Sequence, residues 1–193
     1  MHPLLQENLL SNIYLTQDEL ERIDGLFQLR SLKKKHYLLQ EGEISQGVAF
    51  VLSGLLRSYK LDSHGFEHVI QFAPASWWMT DMKSSSRQEP AELFIEALEP
   101  TEYLFITKSK LDYAFKEFPK LERHFRILAE NAVMAYQQRL IGNLSQPAIE
   151  RFANFCQLYP TLTQSLPHKQ IASFIGVTPE FFSKMINNTP LPG

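Results

Sequence analysis

The spacing of hydrophobic residues changes twice along the 193-residue chain, and each change predicts a different kind of secondary structure. Over residues 16–32 the apolar positions, up to Phe27, recur at helical spacing, and Thr16 with Glu19 has the spacing of a helix-capping box. From residue 33 to about residue 106, short β-rich runs alternate with turn residues. Strands at this spacing predict an antiparallel barrel or jelly roll.

A long helix is predicted after this β-rich region, because residues 120–141 contain neither Gly nor Pro. Five of its residues follow the 4-3-4-3 spacing of a coiled-coil seam of about two heptads. The seam consists of Leu121, Phe125, Leu128, Ala132 and Ala135. A long helix packed on its own domain would give the same pattern. We favour a dimerisation helix, since the two alanines would let a partner helix approach closely.

Two short apolar-periodic segments meet at a glycine in HKQIASFIGVTPEFFSKM, residues 168–185. Small Ala172 lies where two helices of a helix-turn-helix would press together, and Gly176 lies at the turn, which needs a residue tolerant of positive φ. Thr178 can cap the second helix, and Pro179 suits its first turn. The segment therefore predicts a helix-turn-helix, with a purely structural helical hairpin as the alternative.

If the second helix enters a major groove, its outward N-terminal residues face base edges. The residues expected at DNA are Thr178, Pro179, Glu180, Ser183, Lys184 and Asn187, together with Lys169 on the first helix. Glu180 could accept a hydrogen bond from cytosine N4, and Lys184 could donate to guanine O6 or N7. Glu180 also complements the dipole at a helix N-terminus, and the two interpretations are compatible.

The charge distribution offers few phosphate contacts. Formal net charge is −2, so the chain has no overall basic field. From Ser145 onward the basic residues are Arg151, Lys169 and Lys184, against the acidic Glu150 and Glu180. Because phosphate contacts dominate nucleic-acid affinity, two copies in a dimer would be needed for useful binding. The final residues, INNTPLPG, are uncharged and predict no β-hairpin wing.

Several protein classes are not expected. Cys156 is the single cysteine, which excludes an intrachain disulfide framework and a four-cysteine iron–sulfur cluster within one chain. The start of the chain shows neither the basic nor the long apolar segment of a signal peptide. Since no apolar run approaches the roughly 20 residues of a membrane span, a cytoplasmic location is expected.

No enzymatic activity is expected either. The chain contains no nucleophile elbow, P-loop or dinucleotide-binding fingerprint. A metal-dependent cupin enzyme is the competing class for a β-roll, and His64, Glu67 and His68 lie near a predicted hairpin turn. The close His-x-His pair of cupins is absent, so solvated turn residues are the better interpretation and no metal site is predicted.

In their order, these parts resemble the Crp/Fnr family, named for the cyclic-AMP receptor protein and the fumarate-nitrate regulator. The resemblance rests on LLQEGEISQGVAFVLSGLLRSYKLDSHGFEHVIQF (38–72), WWMTDMKS (77–84), IEALEPTEYLFI (95–106) and IASFIGVTPEFFSKM (171–185). The chain looks closest to the short, wing-poor members of Bacteroidetes-like bacteria. The resemblance implies an α+β fold with an eight-stranded, cyclic-nucleotide-binding-like double-stranded β-helix or jelly roll as sensor domain (1–117), a dimerisation helix (118–144) and a helix-turn-helix domain (145–193).

The function implied by this resemblance is that of a homodimeric transcription regulator. Its partners would be a palindromic DNA operator, RNA polymerase and an unknown small-molecule effector, and no membrane. By the same resemblance, Glu180 and Lys184 stand where the family has a Glu and an Arg that contact bases. Lys in place of Arg turns a bidentate fork into a point charge. The alternative is a sensor or protein-interaction dimer of the same fold that does not bind DNA.

The family's cyclic-nucleotide binders hold the sugar with Gly-Glu and the phosphate with Arg-Ser or Arg-Thr. Here Thr80–Asp81 and Ala91–Glu92 stand at those positions. Without the guanidinium, and with the Glu92 charge added, cyclic AMP is not expected to bind in the usual way. Trp78 near this expected pocket would suit an apolar or aromatic ligand, although one tryptophan of the Trp77–Trp78 pair is also expected in the core. No residue is singled out as a haem ligand.

Overall fold

The computed structural model describes residues 1–188, which divide into two compact units. The roll unit comprises Met1–Lys60 and Ile70–Ala129, and the helical unit comprises Leu61–Val69 and the described residues 130–188. The domain boundaries predicted after residues 117 and 144 were placed where one predicted kind of element ends and the next begins. The boundary between the two compact units lies inside the long helix, and a hairpin tip, residues 61–69, belongs to the helical unit.

Two short helices precede the roll: α1, Pro3–Leu10, and α2, Gln17–Asp24. The predicted capping box is confirmed, because the Glu19 N–H donates to Thr16 Oγ1 at 3.3 Å and the Thr16 N–H donates to Glu19 Oε2 at 2.8 Å. The helix ends one turn earlier than the apolar spacing predicted. Phe27 therefore lies outside it, and its ring packs beside Trp78 at a centroid distance of 6.2 Å.

Eight strands form the roll, arranged as two four-stranded antiparallel sheets. They are β1 Gln28–Leu32, β2 Tyr37–Leu39, β3 Gly47–Ser53, β4 Leu56–Leu61, β5 Glu67–Ala73, β6 Trp78–Met79, β7 Phe94–Ala97 and β8 Thr101–Thr107. The strand orders are β1-β8-β3-β6 and β2-β7-β4-β5. The predicted antiparallel roll is confirmed. The hydrophobic pattern did not reveal β1, since most of its residues are exposed, nor the two-residue β6.

The turn between β3 and β4 requires a glycine at the end of β3. Gly54 has φ +81°, in the left-handed region, and a Cβ there would lie 2.3 Å from the carbonyl oxygen of Pro100. Both the backbone angle and the close approach require glycine. Between the sheets, apolar side chains fill the interior: Leu39, Val51, Leu56, Ala73, Met79, Ala91, Ile95 and Ala97.

Three further helices leave the roll: α3 Met82–Arg87, α4 Lys108–Glu117 and α5 Lys120–Ser145. Helix α4 begins where Thr107 Oγ1 accepts a hydrogen bond from the Lys110 N–H at 3.3 Å. Helix α5 is the long helix predicted from the sequence, and it continues past Gly142. Over residues 1–188, none of the helices combines the length and the apolar character that crossing a bilayer requires.

Up to residue 188, the helical unit contains three further helices: α6 Ala148–Leu158, α7 His168–Ile175 and α8 Pro179–Asn188. Aromatic rings join them. Phe152 of α6 meets Phe182 of α8 at 5.1 Å between centroids, and Phe155 meets Phe174 of α7 at 5.4 Å. Cys156 is half-buried, and burial raises the pKa of its thiol. The predicted absence of a wing concerns residues 189–193, which lie outside the described residues.

Candidate functional site

The turn between α7 and α8 has the geometry that the sequence predicted. Gly176 adopts a left-handed conformation, with φ +72°. Its N–H donates to the Ser173 carbonyl at 3.3 Å, and the Val177 N–H donates to the Ala172 carbonyl at 3.0 Å, so the end of α7 is closed. Ala172 is completely buried. The two helices can therefore approach closely at a small residue, as a helix-turn-helix requires.

Helix α8 is anchored by a buried aromatic side chain. Phe182 is 1% exposed, and its ring packs against Phe152 and against His168, the latter at 5.4 Å. At the start of the helix, Thr178 Oγ1 accepts a hydrogen bond from the Phe181 N–H at 3.2 Å, which confirms the predicted cap. This anchoring turns the opposite side of α8 outward.

The residues predicted to contact DNA gather on that outward side. Thr178, Pro179, Glu180, Lys184 and Asn187 are exposed, and Ser183 is half-buried between them and the core. Lys169 is exposed in the first turn of α7. Phe181, which is 53% exposed on the same helix, was not among the predicted residues. The signal was the Phe181–Phe182 pair, since adjacent helical residues cannot both point into one core.

The hairpin tip closes on Asp62. Its Oδ1 accepts from the His64 N–H at 2.8 Å and from the Phe66 N–H at 3.0 Å, and its Oδ2 lies 2.9 Å from His68 Nε2. The hydrogen bond with His68, followed by those from the backbone, lowers the pKa of Asp62 to about 2. The imidazole of His68 is thus hydrogen-bonded to the Asp62 carboxylate. Residues 1–188 contain no cluster of three or more side chains suited to hold a metal ion.

Helix α7 is fastened to this hairpin tip by Ser173. The Ser173 hydroxyl donates to the Glu67 carbonyl at 2.6 Å and accepts from the Val69 N–H at 2.9 Å. Arg139 of α5 donates from Nη2 to the Val69 carbonyl at 2.7 Å, and its guanidinium lies 4.1 Å from the ring centroid of Phe174. Four contacts, none predicted from the sequence, thus join α5, α7 and the hairpin tip.

Only part of the predicted dimer seam is exposed to solvent. Leu121 is 2% exposed and belongs to the core of the roll unit, and the ring of Phe125 packs on Trp78 at 5.0 Å. These two residues are covered by their own chain. Leu128 is half-buried, and Ala132 and Ala135 are exposed.

A second face of α5 carries larger apolar side chains. Val133, Met134, Leu140, Ile141 and Leu144 are all more than half exposed and form what we term the apolar stripe. At about 100° per residue, the apolar stripe lies on nearly the opposite side of α5 from the predicted seam. The period of the sequence predicted the helix, but two faces of this helix satisfy a coiled-coil spacing.

Trp78 does not line the expected ligand pocket. In the antiparallel pairing of β3 and β6 it lies opposite Phe50, so both rings point to the same face, with centroids 4.9 Å apart. Its indole Nε1 donates to Asn8 Oδ1 of α1 at 2.9 Å. Trp78 is therefore a core residue beneath the N-terminal helices, while Met79, next to it, faces the roll interior.

Most of the other predicted pocket residues are buried or are bonded to neighbouring residues of the roll unit. Asp81 is buried and accepts from the Ser84 N–H at 3.0 Å, which caps α3. Ala91 is buried, and its N–H donates to the Glu43 carbonyl at 2.7 Å. Glu92 is exposed and forms an ion pair with Lys83, whose hydrogen bond lowers the pKa of the Glu92 carboxyl.

One predicted pocket residue, Thr80, does line a cavity. This cavity in the roll unit has a volume of about 370 Å³, and its wall includes Arg30, Ser45 and Phe105. Thr80 Oγ1 donates to the Gly47 carbonyl at 3.0 Å, and the Arg30 guanidinium lies 4.1 Å from the ring centroid of Phe105. The structure therefore does not gather the five predicted pocket residues around one space.

Comparison with known sequences agrees with the order of these units. The family described as the cyclic nucleotide-binding domain matches residues 29–118. The transcriptional activator protein Anr of Pseudomonas aeruginosa is 27% identical over 142 residues, which cover 73% of this chain and 57% of Anr. Anr of Pseudomonas protegens is also 27% identical, over 70% of this chain and 57% of its own length. The chain thus matches little more than half the length of these relatives.

Two solved structures have the same fold. FixK2 from Bradyrhizobium japonicum matches with a TM-score of 0.72 at 20% identity, over 83% of each chain. The catabolite activator protein of Thermus thermophilus matches with a TM-score of 0.62 at 17% identity, over 93% of this chain and 85% of its own. These two likenesses are likenesses of fold, in which the matched domain comes first along the chain and the long helix and the helix-turn-helix follow it.

Proposed function

We propose that the chain is a DNA-binding transcription regulator that acts as a homodimer on a palindromic operator. One observation carries the proposal: α8 is anchored by buried Phe182 and presents Thr178, Glu180 and Lys184 outward from its first turns. A recognition helix in the major groove uses the same division between an anchored face and an N-terminal reading face.

Base contacts would come from Glu180 and Lys184, which lie one helical turn apart. Glu180 can accept from cytosine N4, and Lys184 can donate to guanine O6 or N7. A bidentate pair contributes roughly 1–3 kcal/mol of discrimination, and the single ammonium of Lys184 would fall toward the lower end. Exposed Thr178, Pro179 and Asn187 flank this pair, and half-buried Ser183 lies beside Lys184.

Phosphate contacts would come from the first turn of α7. Lys169 is exposed there, and no side-chain hydrogen bond caps this helix N-terminus. Backbone N–H groups at such an end bind phosphate oxygens well. Each copy nevertheless offers few cations, so affinity would depend on two copies bound to two half-sites about 34 Å apart.

The dimer surface that we propose is the apolar stripe on α5. Five large apolar side chains exposed on one helix face are costly in water and suit a matching helix of a second copy. A ligand in the roll would shift the population of dimer-helix registers, and so the spacing of the two recognition helices. Exposed Ala132 and Ala135, on nearly the opposite side of α5, would lie outside this dimer surface.

The effector is not cyclic AMP held in the usual way, because buried Ala91 supplies no guanidinium and the Glu92 carboxylate is already paired. We assign the protein no catalytic activity, and its sequence relatives are named as transcriptional activators. For an activator, RNA polymerase is a proposed partner. A regulator acts where the DNA is, so the cytoplasm is the proposed location.

A second candidate function keeps the fold and the dimer but discards DNA binding. The observation in its favour is the shortage of cations: after Ser145 the chain contains only Arg151, Lys169 and Lys184 as basic residues. Such a protein would be a small-molecule sensor or an interaction dimer. Its retention on DNA would be weak and without sequence preference.

Selection from random duplex DNA at two salt concentrations tests the proposal. Wild-type protein should enrich a palindrome, and Lys184→Ala should lose that enrichment. Lys116→Ala, which removes an exposed lysine of α4, is the matched control and should enrich the same palindrome. If the wild type enriches nothing at low salt, with or without cell extract to supply an effector, the DNA-binding function fails and the second candidate replaces it.

A further inference from the structure

Phe181 places a large apolar surface on an otherwise polar helix face. It is 53% exposed, while the next residue, Phe182, occupies the aromatic core of the helical unit. Glu180 precedes it, and Lys184 follows three positions later on the adjoining part of the exposed face. In a helix, residues three apart are neighbours, so Phe181 lies beside Lys184, and Lys184 in turn lies one helical turn from Glu180.

An exposed phenyl ring at this position is poorly suited to the phosphate backbone. It has no hydrogen-bond donor, and most protein contacts with the sugar-phosphate chain are polar or charged. Water is no better a partner, since leaving an aromatic side chain exposed forgoes the free energy of burying it. Phe181 is the third residue of α8, and the N-terminal residues of a recognition helix are the ones that meet base edges.

The major groove presents one apolar group, the C5 methyl of thymine, and phenylalanine is among the side chains that contact it. We propose that Phe181 is a specificity-determining residue that contacts a thymine methyl beside the base pair read by Glu180 or Lys184. This inference rests on the proposed function. It predicts that each half-site of the operator contains a thymine whose methyl group, rather than its hydrogen-bonding groups, is recognised.

The experiment replaces each thymine of the selected operator, one symmetric pair at a time, with deoxyuridine, which removes only the methyl group. Burying one methyl contributes about 0.8 kcal/mol, or about 4-fold in affinity for each half-site. Because a symmetric pair removes one methyl from each half-site, one pair of positions should weaken wild-type binding by about 16-fold in total. Phe181→Ala should bind thymine and deoxyuridine equally at that pair, and Phe181→Leu should keep part of the preference for thymine.

The control variant is Tyr113→Ala, which removes an exposed aromatic ring from α4 and should leave the methyl effect unchanged. Circular dichroism of Phe181→Ala should match the wild type, because an exposed side chain is removed. If the palindrome is bound through Lys184 but no thymine methyl matters in a Phe181-dependent way, the inference is overturned and the proposed function stands. If wild-type protein binds no specific DNA, both fail together.

Discussion

The side-chain hydroxyl of Ser173 donates a hydrogen bond of 2.6 Å to the backbone carbonyl of Glu67, 106 positions earlier in the chain. The same hydroxyl accepts from the Val69 N–H. One serine on the first helix of the helix-turn-helix therefore satisfies both a donor and an acceptor of the hairpin tip. The helix-turn-helix is built onto β-hairpin backbone as well as onto its own aromatic core.

Ser173→Ala should destabilise the helical unit. The substitution removes two hydrogen bonds, and the N–H of buried Val69 loses its acceptor, which costs about 1–3 kcal/mol. Urea unfolding should report a lower free energy of unfolding, and the amide hydrogen of Val69 should exchange faster. Ser63→Ala, at an exposed serine of the same hairpin tip, should change neither. Equal stability of the two variants would show that the Ser173 bonds contribute nothing.

Arg139→Lys should also loosen the hairpin tip, although it keeps the charge. The planar guanidinium donates to the Val69 carbonyl while it lies over the Phe174 ring, and a lysine ammonium cannot do both in the same geometry. We expect a loss of about 1 kcal/mol in the free energy of unfolding, measured by urea titration. Arg123→Lys, at an exposed position of the same helix, provides the comparison. A loss of equal size in both variants would contradict a specific role for Arg139.

The features predicted correctly from the sequence depend on residues a few positions apart. Thr16 and Glu19 form their capping box within three residues, and Gly176 closes α7 through bonds to the preceding turn. Local backbone geometry decides both, so the residue types suffice. The long helix α5 follows from an uninterrupted run without Gly or Pro for the same reason.

The features that were missed depend on residues far apart in the chain. Ser173 gives no sign in its own neighbourhood that its partner is the backbone of β5. Trp78 was expected in a pocket, but the face of a two-residue strand is set by its register with Phe50. Helical spacing likewise predicts that α5 has an apolar face without saying which of two faces its own roll unit covers. Pairing across the chain decides such cases.

Acid should destabilise the roll unit through His124, which is completely buried. Its Nδ1 lies 3.2 Å from Asn12 Nδ2, its Nε2 has no hydrogen-bond partner among residues 1–188, and burial lowers the pKa of the imidazole to about 4. The folded state therefore binds this proton less readily than the unfolded state, where the pKa is about 6.5. The stability due to neutral His124 is complete above pH 6.5 and is lost as pH falls toward 4.

Between pH 7.5 and 4.5 this linkage amounts to about 2–3 kcal/mol of unfolding free energy. Urea titrations across that range should show the loss in the wild type and in the control His64→Ala, whose imidazole is exposed. His124→Gln should start from a lower stability and show a flatter pH dependence. A wild-type profile that is already flat across this range would contradict the assignment to His124.

Charge placed on the apolar stripe should separate the dimer. Ile141→Glu introduces a carboxylate among large apolar side chains that we expect to be covered by the partner copy, and burying it unpaired is strongly unfavourable. Sedimentation velocity should show a dimer for the wild type and a monomer for this variant. Ala135→Glu places the same charge on the predicted seam instead and should remain dimeric. If Ala135→Glu dissociates while Ile141→Glu does not, the seam predicted from the sequence is the interface.

Lys184→Arg should sharpen the choice of base. The lysine ammonium offers guanine one point charge, whereas an arginine fork donates to O6 and N7 together. Because Lys184 is exposed on α8, the longer side chain can be accommodated without disturbing the aromatic core. We expect the penalty for replacing the contacted guanine to rise by about 1 kcal/mol, roughly fivefold in affinity, in fluorescence-anisotropy titrations of matched duplexes. An unchanged penalty, with binding still lost in Lys184→Ala, would mean that Lys184 contacts a phosphate and that base selection lies with its neighbours on α8.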